Sequence, residues 1–548
     1  MEKLTLREKI CRTAIMTTGD IYKRAESMGG LEAYFERYPI GGVFIGGEVI
    51  KDADKAVEQV LAVVNELNSA SPRPLTFHGD FEWGVGQNVK GLPELPSIMA
   101  MAAANVEEFA YDYGAAIASD ARRIGAHASY SPVADLNVNP FNQITSVRSA
   151  GDDPEKVIPL LRALVRGMQD GGVSATAKHF PGDGFDFRNQ HFVTSENPLS
   201  LETWRQWSGA VFQALIEEGV HMIMAGHIAL PEYQNERIHE LAPPATLSRE
   251  LMTGLLKRDM GFEGVIVSDA LMMGGFLTWY EDRREAELQC LRAGCDYLLW
   301  PLPESLDYME AAAREGRLSE ERIDDAMRRI EKQREIHGLV LGSAQAEVGR
   351  GVTKASEVEQ TGRSVQETAV RIAERSVHLQ RDRSSLLPLS ADRFTSALLV
   401  IATATETNAQ KLDLTAGLLR ERGLSVDVEA KMGVSVLKDR YEKYDLLIFA
   451  FSSLGFSSID LAQQPDSKGA VWEALCYGRE KTIVISYGSP YIHEQYFGLA
   501  PVAINVWSVS DHSQLAAVKA LFGELAFAGT RPVADTRPAE RLVSQLRP

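Results

Sequence analysis

The sequence has few cysteines and lacks any long apolar run. Its four cysteines are scattered over 548 residues, and Cys290 and Cys295 have no second Cys or His pair that would complete a zinc site. Unpaired thiols are typical of a reducing compartment, and the charged first nine residues do not resemble a signal peptide. No stretch is apolar enough to span a bilayer, so we expect a cytoplasmic protein without a membrane partner.

The chain also has fewer basic than acidic residues. The chain has 57 Lys and Arg against 75 Asp and Glu, a net charge of -18, which would repel nucleic acid and anionic membranes. No Gly-x-Gly-x-x-Gly or Walker motif follows a candidate strand, which disfavours a nucleotide. No His-x-x-x-His or Glu-x-x-His pair indicates a metal. We therefore expect neither a cofactor nor a nucleic-acid partner.

What the sequence contains is a regular alternation of short β-rich runs and longer amphipathic segments. The predicted strands are 41–46, 74–80, 126–131, 173–178, 221–227, 264–269 and 296–300, and the predicted helices include 54–67, 107–124, 201–218 and 283–293. Strand followed by helix, repeated seven or eight times, predicts a TIM-like (β/α)8 barrel, with a doubly wound open sheet as the rival fold.

A second α/β region follows the barrel. Its near-continuous apolar runs at 397–401, 444–450, 482–486 and 502–506 are typical of parallel strands covered on both faces. We predict a catalytic barrel domain over residues 1–335, a helical linker over 336–390, and a C-terminal α/β/α sandwich domain over 391–548.

Polar side chains end several of the predicted barrel strands. Asp80 ends one strand, Lys178 and His179 end another, Asp269 ends a third, and Arg148 lies in a loop after a strand. The strand ends of a barrel ring one face, so these side chains should converge. Carboxylates, Lys, Arg and His around one mouth suit a neutral, hydroxyl-rich ligand such as a small saccharide.

The segment from Lys178 to His191 carries the strongest functional pattern. Residues 178–184 read Lys-His-Phe-Pro-Gly-Asp-Gly, and this turn bends the chain away so that the first two side chains stay at the rim. The alternative, a buried ion pair and a core histidine, is disfavoured by that turn. Gly182 and Gly184 should give the following loop the mobility to bring His191 over a substrate.

Asp269 supports two interpretations. Directly after a buried strand, it could be a nucleophile that attacks an anomeric carbon. It could equally cap the next helix or pair with Lys or Arg. His78, His127 and His227 lie in or beside strands, and we interpret them as hydrogen-bonding wall residues.

These motifs resemble glycoside hydrolase family 3, and within it the β-N-acetylglucosaminidase branch. The Lys-His-Phe-Pro-Gly-Asp-Gly run and the loop ending in His191 match a long family motif. The other matching segments are 79–84, 131–137, 147–154 and 267–271 in the first region, and 375–379 and 386–389 at the entry to the second.

The resemblance implies a retaining exo-β-N-acetylglucosaminidase that acts on terminal GlcNAc of cell-wall or chitin-derived saccharides. Asp269 would form a covalent glycosyl intermediate, and His191 would act as general acid and then base. The sugar hydroxyls would be bound by Asp80, Arg148, Lys178 and His179. A histidine can serve as the donor because its pKa lies near neutrality.

Two positions depart from the family pattern. Asn189 stands two residues before His191, where the family has an Asp that completes a catalytic dyad. Asn can orient the imidazole by hydrogen bonding but brings no charge, so a nearby carboxylate could take that role instead. The candidates for it are Asp183, Asp186 and Glu196. The second departure is Gln87-Asn88, in the stretch where the family has an arginine.

Three alternatives stay open at this point. A histidine donor makes the site less anionic, so phosphate could be the acceptor and the enzyme a glycoside phosphorylase. The Asn189 substitution also allows a sugar-binding homologue that has lost turnover. A β-glucosidase-like specificity is the third, and the His191 loop argues against it because it already supplies a donor.

Overall fold

The structure is a computed structural model that describes residues 4–339, 365–403, 412–429, 441–452 and 476–535. The chain divides into two compact units. The first comprises Met1–Glu94, Ala110–Leu136 and Pro154–Val365. The second comprises Leu95–Phe109, Asn137–Asp153 and Gln366–Pro548, so two short segments of the first 335 residues group with the C-terminal part. The domain boundaries at residues 335 and 390 stay predictions.

The first unit is built on eight parallel strands in the order β10-β1-β2-β3-β4-β5-β7-β9. The described strands of this unit, including the separate pair β6 and β8, are β1 (Ala14–Thr17), β2 (Gly42–Phe44), β3 (Thr76–Gly79), β4 (Ala128–Ser129), β5 (Ser174–Phe180), β6 (Ser195–Glu196), β7 (Met222–Ala225), β8 (Ile228–Ala229), β9 (Val265–Ser268) and β10 (Leu298–Leu299). Backbone hydrogen bonds from Ser268 N to Tyr297 O (2.9 Å) and from Leu271 N to Leu299 O (3.0 Å) join the two ends of the sheet. The predicted TIM-like barrel is confirmed, and the open-sheet alternative is wrong.

All seven strands predicted for this region are present. The pattern did not reveal β1 of the eight-stranded sheet, nor the short strands β6 and β8. Strands β6 and β8 form a separate two-stranded parallel sheet. Every residue of β5 is buried, because the barrel interior covers one face of the strand and the surrounding helices cover the other.

Helices connect and surround the strands. The helices up to residue 336 are α1 (Leu6–Cys11), α2 (Thr18–Met28), α3 (Leu31–Arg37), α4 (Ala56–Ala70), α5 (Ile98–Ala104), α6 (Glu107–Arg123), α7 (Pro154–Asp170), α8 (Leu201–Gln206), α9 (Ser208–Glu217), α10 (Gly274–Leu277), α11 (Arg283–Ala293), α12 (Pro303–Arg314) and α13 (Glu320–Ile336), with a π-type helix over Glu250–Asp259. Of these, α5 belongs to the second unit. The predicted helix 201–218 is broken at Trp207, whose backbone angles (φ -111°, ψ -104°) are not helical. No helix of the described residues is long and apolar enough to cross a membrane.

The second unit contains a six-stranded sheet in the order β11-β16-β15-β14-β12-β13. Its strands are β11 (His378–Asp382), β12 (Ser396–Thr403), β13 (Ser425–Glu429), β14 (Leu446–Ser452), β15 (Thr482–Ser486) and β16 (Val502–Asn505). Only the edge strand β11 pairs in the antiparallel sense. Its helices are α14 (Val365–Ser376), α15 (Asp413–Glu421), α16 (Ile492–Gln495) and α17 (Asp511–Leu521).

Both faces of this sheet are covered. Along β12, Leu399 and Ile401 pack into one apolar cluster, whereas Leu398 and Val400 pack into another. Such alternation requires an apolar layer on each side, and the four strands predicted from the apolar runs are all present. In the predicted linker, α14 and β11 are described, and residues 340–364 lie outside the described residues.

Candidate active site

The predicted site residues of the first unit lie at one end of the barrel. Asp80 follows β3, Lys178 and His179 lie near the end of β5, and Asp269 follows β9. Because all eight strands are parallel, their carboxyl ends open at the same mouth. His191 belongs to the loop after β5 and reaches the same mouth.

Lys178 holds two carboxylates. Its Nζ lies 2.8 Å from Asp80 Oδ1 and 2.6 Å from Glu82 Oε1. Lys178 and Glu82 are each only 2% exposed, whereas the Asp80 side chain is 33% exposed. Lys178 therefore fixes Asp80 in a position from which it still faces solvent. Glu82 was not predicted as a site residue, although the Asp-x-Glu spacing in the turn after β3 was the signal for it.

Asp135 orients His179. The His179 Nδ1 lies 2.6 Å from Asp135 Oδ2, and Asp135 Oδ1 accepts hydrogen bonds from the backbone N–H groups of His179 and Asp183. A carboxylate only accepts, so Nδ1 carries the hydrogen and Nε2 points the other way. That Nε2 lies 4.0 Å from Asp269 Oδ2. Sequence reasoning assigned no role to Asp135, although it lies within one of the recognised motifs.

Asp269 is a buried carboxylate beside three histidines. Its Oδ1 accepts a hydrogen bond of 2.7 Å from Ala270 N, and the residue is 8% exposed. Burial by itself would raise the pKa of this carboxyl. Interactions with the imidazoles of His179 and His227, the hydrogen bond from Ala270 N and the imidazole of His191 together hold the pKa of Asp269 below its ordinary value.

Asn189 holds His191. The Asn189 Oδ1 accepts from His191 N (2.9 Å) and lies 2.8 Å from His191 Nδ1. An amide oxygen is only an acceptor, so Nδ1 carries the hydrogen and Nε2 is the other titrating nitrogen. The His191 carbonyl accepts from Gly274 N at 2.8 Å, which fastens the loop to the segment after Asp269.

The loop is anchored by more than this contact. Gln190 is 1% exposed, its carbonyl accepts from Gly275 N (3.1 Å), and its Oε1 accepts from His227 N (2.9 Å). Thr194 Oγ1 donates to the Gly275 carbonyl at 2.8 Å. A Cβ at Gly275 would lie 2.6 Å from the Gln190 carbonyl oxygen, so glycine lets the two segments approach this closely. His191 is thus held in place in this structure.

The other carboxylates of the loop have different contacts. Asp186 Oδ2 lies 2.6 Å from Arg188 Nε, and Glu196 Oε2 lies 3.0 Å from Arg188 Nη2. Asp183 accepts a hydrogen bond from Gly184 N. Among the candidates weighed from the sequence, Asn189 contacts His191 Nδ1 through its side-chain oxygen.

The Gln87-Asn88 pair stabilises the turn that carries Asp80. Gln87 Oε1 accepts from the backbone N–H of Glu82 at 2.8 Å, and Asn88 Nδ2 donates to the Asp80 carbonyl at 3.0 Å. These residues, which stand where the family pattern has an arginine, thus hold the shape of the turn.

Arg148 lies in the second unit, in the segment Asn137–Asp153. It is 3% exposed, and its Nη1 donates to the Ile144 carbonyl at 3.2 Å. The structure therefore brings Asp80, Lys178, His179, Asn189, His191 and Asp269 together in the first unit and places Arg148 in the other.

The wall histidines are hydrogen-bonded as expected. His227 Nε2 donates to the Ala270 carbonyl (3.0 Å), its Nδ1 lies 2.9 Å from Thr246 Oγ1, and burial lowers the pKa of its imidazole. His78 Nε2 lies 2.8 Å from Thr76 Oγ1. The His127 Nδ1 accepts from Phe77 N at 3.1 Å.

Comparison with known proteins gives a family match over more than half of the chain. The family model described as "Glycosyl hydrolase family 3 N terminal domain" matches residues 5–332. The beta-N-acetylglucosaminidase/beta-glucosidase of Cellulomonas fimi is 29% identical over 516 residues, which cover 90% of this chain and 89% of that protein.

Two solved structures are similar over nearly the whole chain. A beta-glucoside phosphorylase superposes with a TM-score of 0.83 at 27% identity, covering 97% of this chain and 94% of that one. A glycoside hydrolase family 3 beta-N-acetylglucosaminidase from Paenibacillus sp. str. FPU-7 superposes with a TM-score of 0.81 at 25% identity, covering 97% and 99%.

Proposed function

This chain belongs to glycosyl hydrolase family 3 and is a glycoside hydrolase, and on that premise we propose that it is a retaining exo-β-N-acetylglucosaminidase. Its substrates are terminal GlcNAc residues of cell-wall or chitin-derived saccharides. Support for this choice comes from the beta-N-acetylglucosaminidase names of the similar Cellulomonas and Paenibacillus proteins and from the His191 loop.

In the first step, a carboxylate oxygen of Asp269 attacks the anomeric carbon and the glycosidic bond breaks. The carboxylate is suited to this role because its lowered pKa keeps it ionised at neutral pH. Its Oδ1 is held by Ala270 N, which fixes the carboxylate plane against rotation. The product is a covalent glycosyl ester, which water then hydrolyses with overall retention of configuration.

The leaving oxygen takes its proton from His191 Nε2. The Asn189 contact places the hydrogen of the neutral ring on Nδ1, so Nε2 is the nitrogen that would exchange the proton, and the Gly274 hydrogen bond holds the loop beside the segment that follows Asp269. In the second step the neutral imidazole removes a proton from the attacking water. His191 therefore serves as acid and then as base, and Asn189 positions it without adding charge.

The sugar is positioned by the ion-paired residues of the mouth. Asp80 presents a partly exposed carboxylate that can accept from two hydroxyls, and Lys178 holds it there. His179 Nε2 faces Asp269 and, with the hydrogen on Nδ1, can accept a hydrogen bond from a sugar hydroxyl close to the anomeric centre. Glu82 holds the Lys178 ammonium through an ion pair of 2.6 Å, and a role for Arg148 in sugar binding is a prediction from the resemblance alone.

One observation carries the proposal: Gly274 N, in the segment just after Asp269, donates a hydrogen bond of 2.8 Å to the His191 carbonyl, so the loop that carries His191 is held beside the candidate nucleophile. The test is release of nitrophenol from 4-nitrophenyl β-GlcNAc and from the β-glucoside. We expect faster release from the N-acetylglucosaminide, and less than about a thousandth of that rate in Asp269→Ala. Equal or faster release from the glucoside would move the assignment to β-glucosidase.

A glycoside phosphorylase is the second candidate. The similarity to a beta-glucoside phosphorylase favours it, and so does the local charge. Asn189 brings no carboxylate to His191, and Arg188 pairs with both Asp186 and Glu196. An anionic acceptor would meet less repulsion there. Rate measured against phosphate concentration, with detection of sugar 1-phosphate by mass spectrometry, separates the two activities.

A further inference from the structure

Three apolar side chains close to the candidate proton donor are exposed to solvent. Phe192 and Val193 directly follow His191, and Met272 lies three residues after Asp269. Their exposed fractions are 75%, 45% and 59%, although these residue types are most often found inside folded proteins. A single exposed apolar residue is ordinary, whereas several on adjoining segments of a site indicate a binding surface. We call these three residues the apolar rim.

Asn189 fixes the first part of the apolar rim relative to the proton donor. Its carbonyl accepts from Phe192 N (2.9 Å) and from Val193 N (3.1 Å). Its side-chain oxygen lies 2.8 Å from His191 Nδ1. One residue thus holds both the imidazole and the backbone of the two residues that follow it, so the position of Phe192 is set together with that of His191.

Met272 lies in the tight turn that follows the candidate nucleophile. Ala270 N donates to Asp269 Oδ1 (2.7 Å), and Met273 N donates to the Ala270 carbonyl (3.1 Å), which closes the turn. The other residues from 270 to 273 are buried, so solvent reaches this turn at Met272.

The two parts of the apolar rim meet at Gly274. Gly274 N donates to the His191 carbonyl at 2.8 Å, and a Cβ at Gly274 would lie 2.9 Å from Phe192 Cα. Met272 lies two residues before this junction. Phe192 and Met272 therefore lie on adjoining segments, one after β5 and one after β9, at the end of the barrel where the candidate site opens.

The leaving group of a substrate must lie close to these residues. A proton donor has to come within about 3 Å of the glycosidic oxygen, so the first atoms of the leaving group lie beside His191. The next residue of the chain is Phe192, whose Cα is only about 3.8 Å from that of His191. Phenyl, isopropyl and thioether groups offer apolar contact and no strong hydrogen bond, so they suit a hydrocarbon better than a hydroxyl-rich group.

We propose that the apolar rim binds the leaving group and gives the enzyme a preference for β-N-acetylglucosaminides of apolar alcohols and phenols. The inference rests on the proposed function and adds alkyl and aryl glycosides to its substrates. The bond changes stay the same: Asp269 displaces the alcohol, which takes the proton of His191. One water then splits the glycosyl ester, releases GlcNAc and returns a proton to His191.

The expected size of the preference follows from the surface that the rim offers. At about 25 cal/mol per Å², a ten-fold preference requires about 55 Å² of apolar surface to be removed from water. A phenylalanine side chain alone can bury about 150 Å² or more. Partial contact with Phe192 and Met272 is therefore enough for a preference of about ten-fold.

The test compares octyl β-GlcNAc with methyl β-GlcNAc, with GlcNAc release measured by mass spectrometry below the concentration at which the octyl glycoside forms micelles. Both leaving groups are primary alkanols of similar acidity, so a difference reports contact with the alkyl chain. We expect kcat/KM to be about ten-fold higher for the octyl glycoside. Equal values would overturn the role of the rim and leave the proposed function intact. Inactivity on 4-nitrophenyl β-GlcNAc would instead overturn the proposed function.

Variants connect the preference to the apolar rim. Phe192→Ala and Met272→Ala truncate exposed side chains, so the core stays intact, and together they should reduce the octyl-to-methyl ratio from about ten to about two. Ile336→Ala is the matched control and should leave the ratio unchanged. Ile336 is 52% exposed, and its neighbour His337 lies 2.8 Å from Ser174 at the start of β5, at the other end of the barrel strands.

Two outcomes of the double variant would reject the proposal. An octyl-to-methyl ratio that stays at its parent value would show that the leaving group binds elsewhere. A parent protein that sediments as a dimer in analytical ultracentrifugation, and a double variant that sediments as a monomer, would show that a second copy of the chain covers the rim.

Discussion

The Asn189→Asp variant tests the account of the proton donor. Asn189 Oδ1 lies 2.8 Å from His191 Nδ1, and aspartate has nearly the same shape, so the hydrogen bond should survive while a negative charge is added. An opposite charge at this distance shifts a pKa by about one to three units, and about one unit corresponds to 1.4 kcal/mol. Because the charge stabilises imidazolium, the basic limb of the kcat/KM profile should move up by about one pH unit or more.

The assay is nitrophenol release from 4-nitrophenyl β-GlcNAc between about pH 4 and pH 10, because the donor is expected to titrate within this window. Asn65→Asp, which adds the same charge on the exposed side of α4, is the matched control and should leave the profile unchanged. A basic limb that stays in place in Asn189→Asp would refute the reasoning, since His191 could then not be the acid. If the parent protein shows no turnover and Asn189→Asp restores none while both still bind the sugar, the result would instead support a homologue that has lost catalysis.

Further predictions concern orientation and acid stability. Asp135→Asn keeps the shape of the side chain beside His179 but replaces the charged carboxylate with a neutral amide that has one acceptor oxygen fewer. We expect kcat to fall at least about ten-fold with KM changed less, measured by steady-state kinetics. A change confined to KM would contradict the orienting role. Burial lowers the pKa of His78 and of His127 to about 3, whereas both titrate near 6.5 when unfolded. Between about pH 6.5 and pH 3, the unfolded chain binds these protons and the folded chain does not. Each histidine should therefore lower the free energy of unfolding by about 1.4 kcal/mol for every unit by which the pH is decreased in this range. Urea denaturation at pH 7.5 and pH 5.5 measures this, and equal midpoints would contradict it.

Much of the barrel follows from local pattern. Runs such as Val265–Ser268 are short, apolar and β-branched, and a single buried strand of this kind needs no long-range information to be recognised. β1 escaped because Ala14 and Met16 carry little β-propensity and the strand runs directly into α2 at Thr18. The grouping of Leu95–Phe109 and Asn137–Asp153 with the second unit depends on contacts between distant parts of the chain, which periodicity does not encode.

The candidate site divides in the same way. The common location of Asp80, Lys178 and Asp269 could be predicted from the strand ends, because a parallel barrel brings such ends together at one mouth. The partners of these residues could not be assigned, since the contact of Asp135 with His179 joins positions 44 residues apart. The anchoring of the His191 loop was not predicted. Gly182 and Gly184 in the loop suggested mobility, whereas Gly275, in the segment that the loop contacts, allows a close approach of the two backbones that only the fold reveals.

The most direct test of the central claim is mass spectrometry of His191→Ala during turnover of 4-nitrophenyl β-GlcNAc. Nitrophenol leaves without help from an acid, so the first step should proceed, whereas the second step lacks its base and the intermediate should accumulate. The account predicts one N-acetylhexosaminyl group on the peptide that contains Asp269, lost on adding azide. An unmodified Asp269 peptide, together with a first product of inverted configuration, would contradict it.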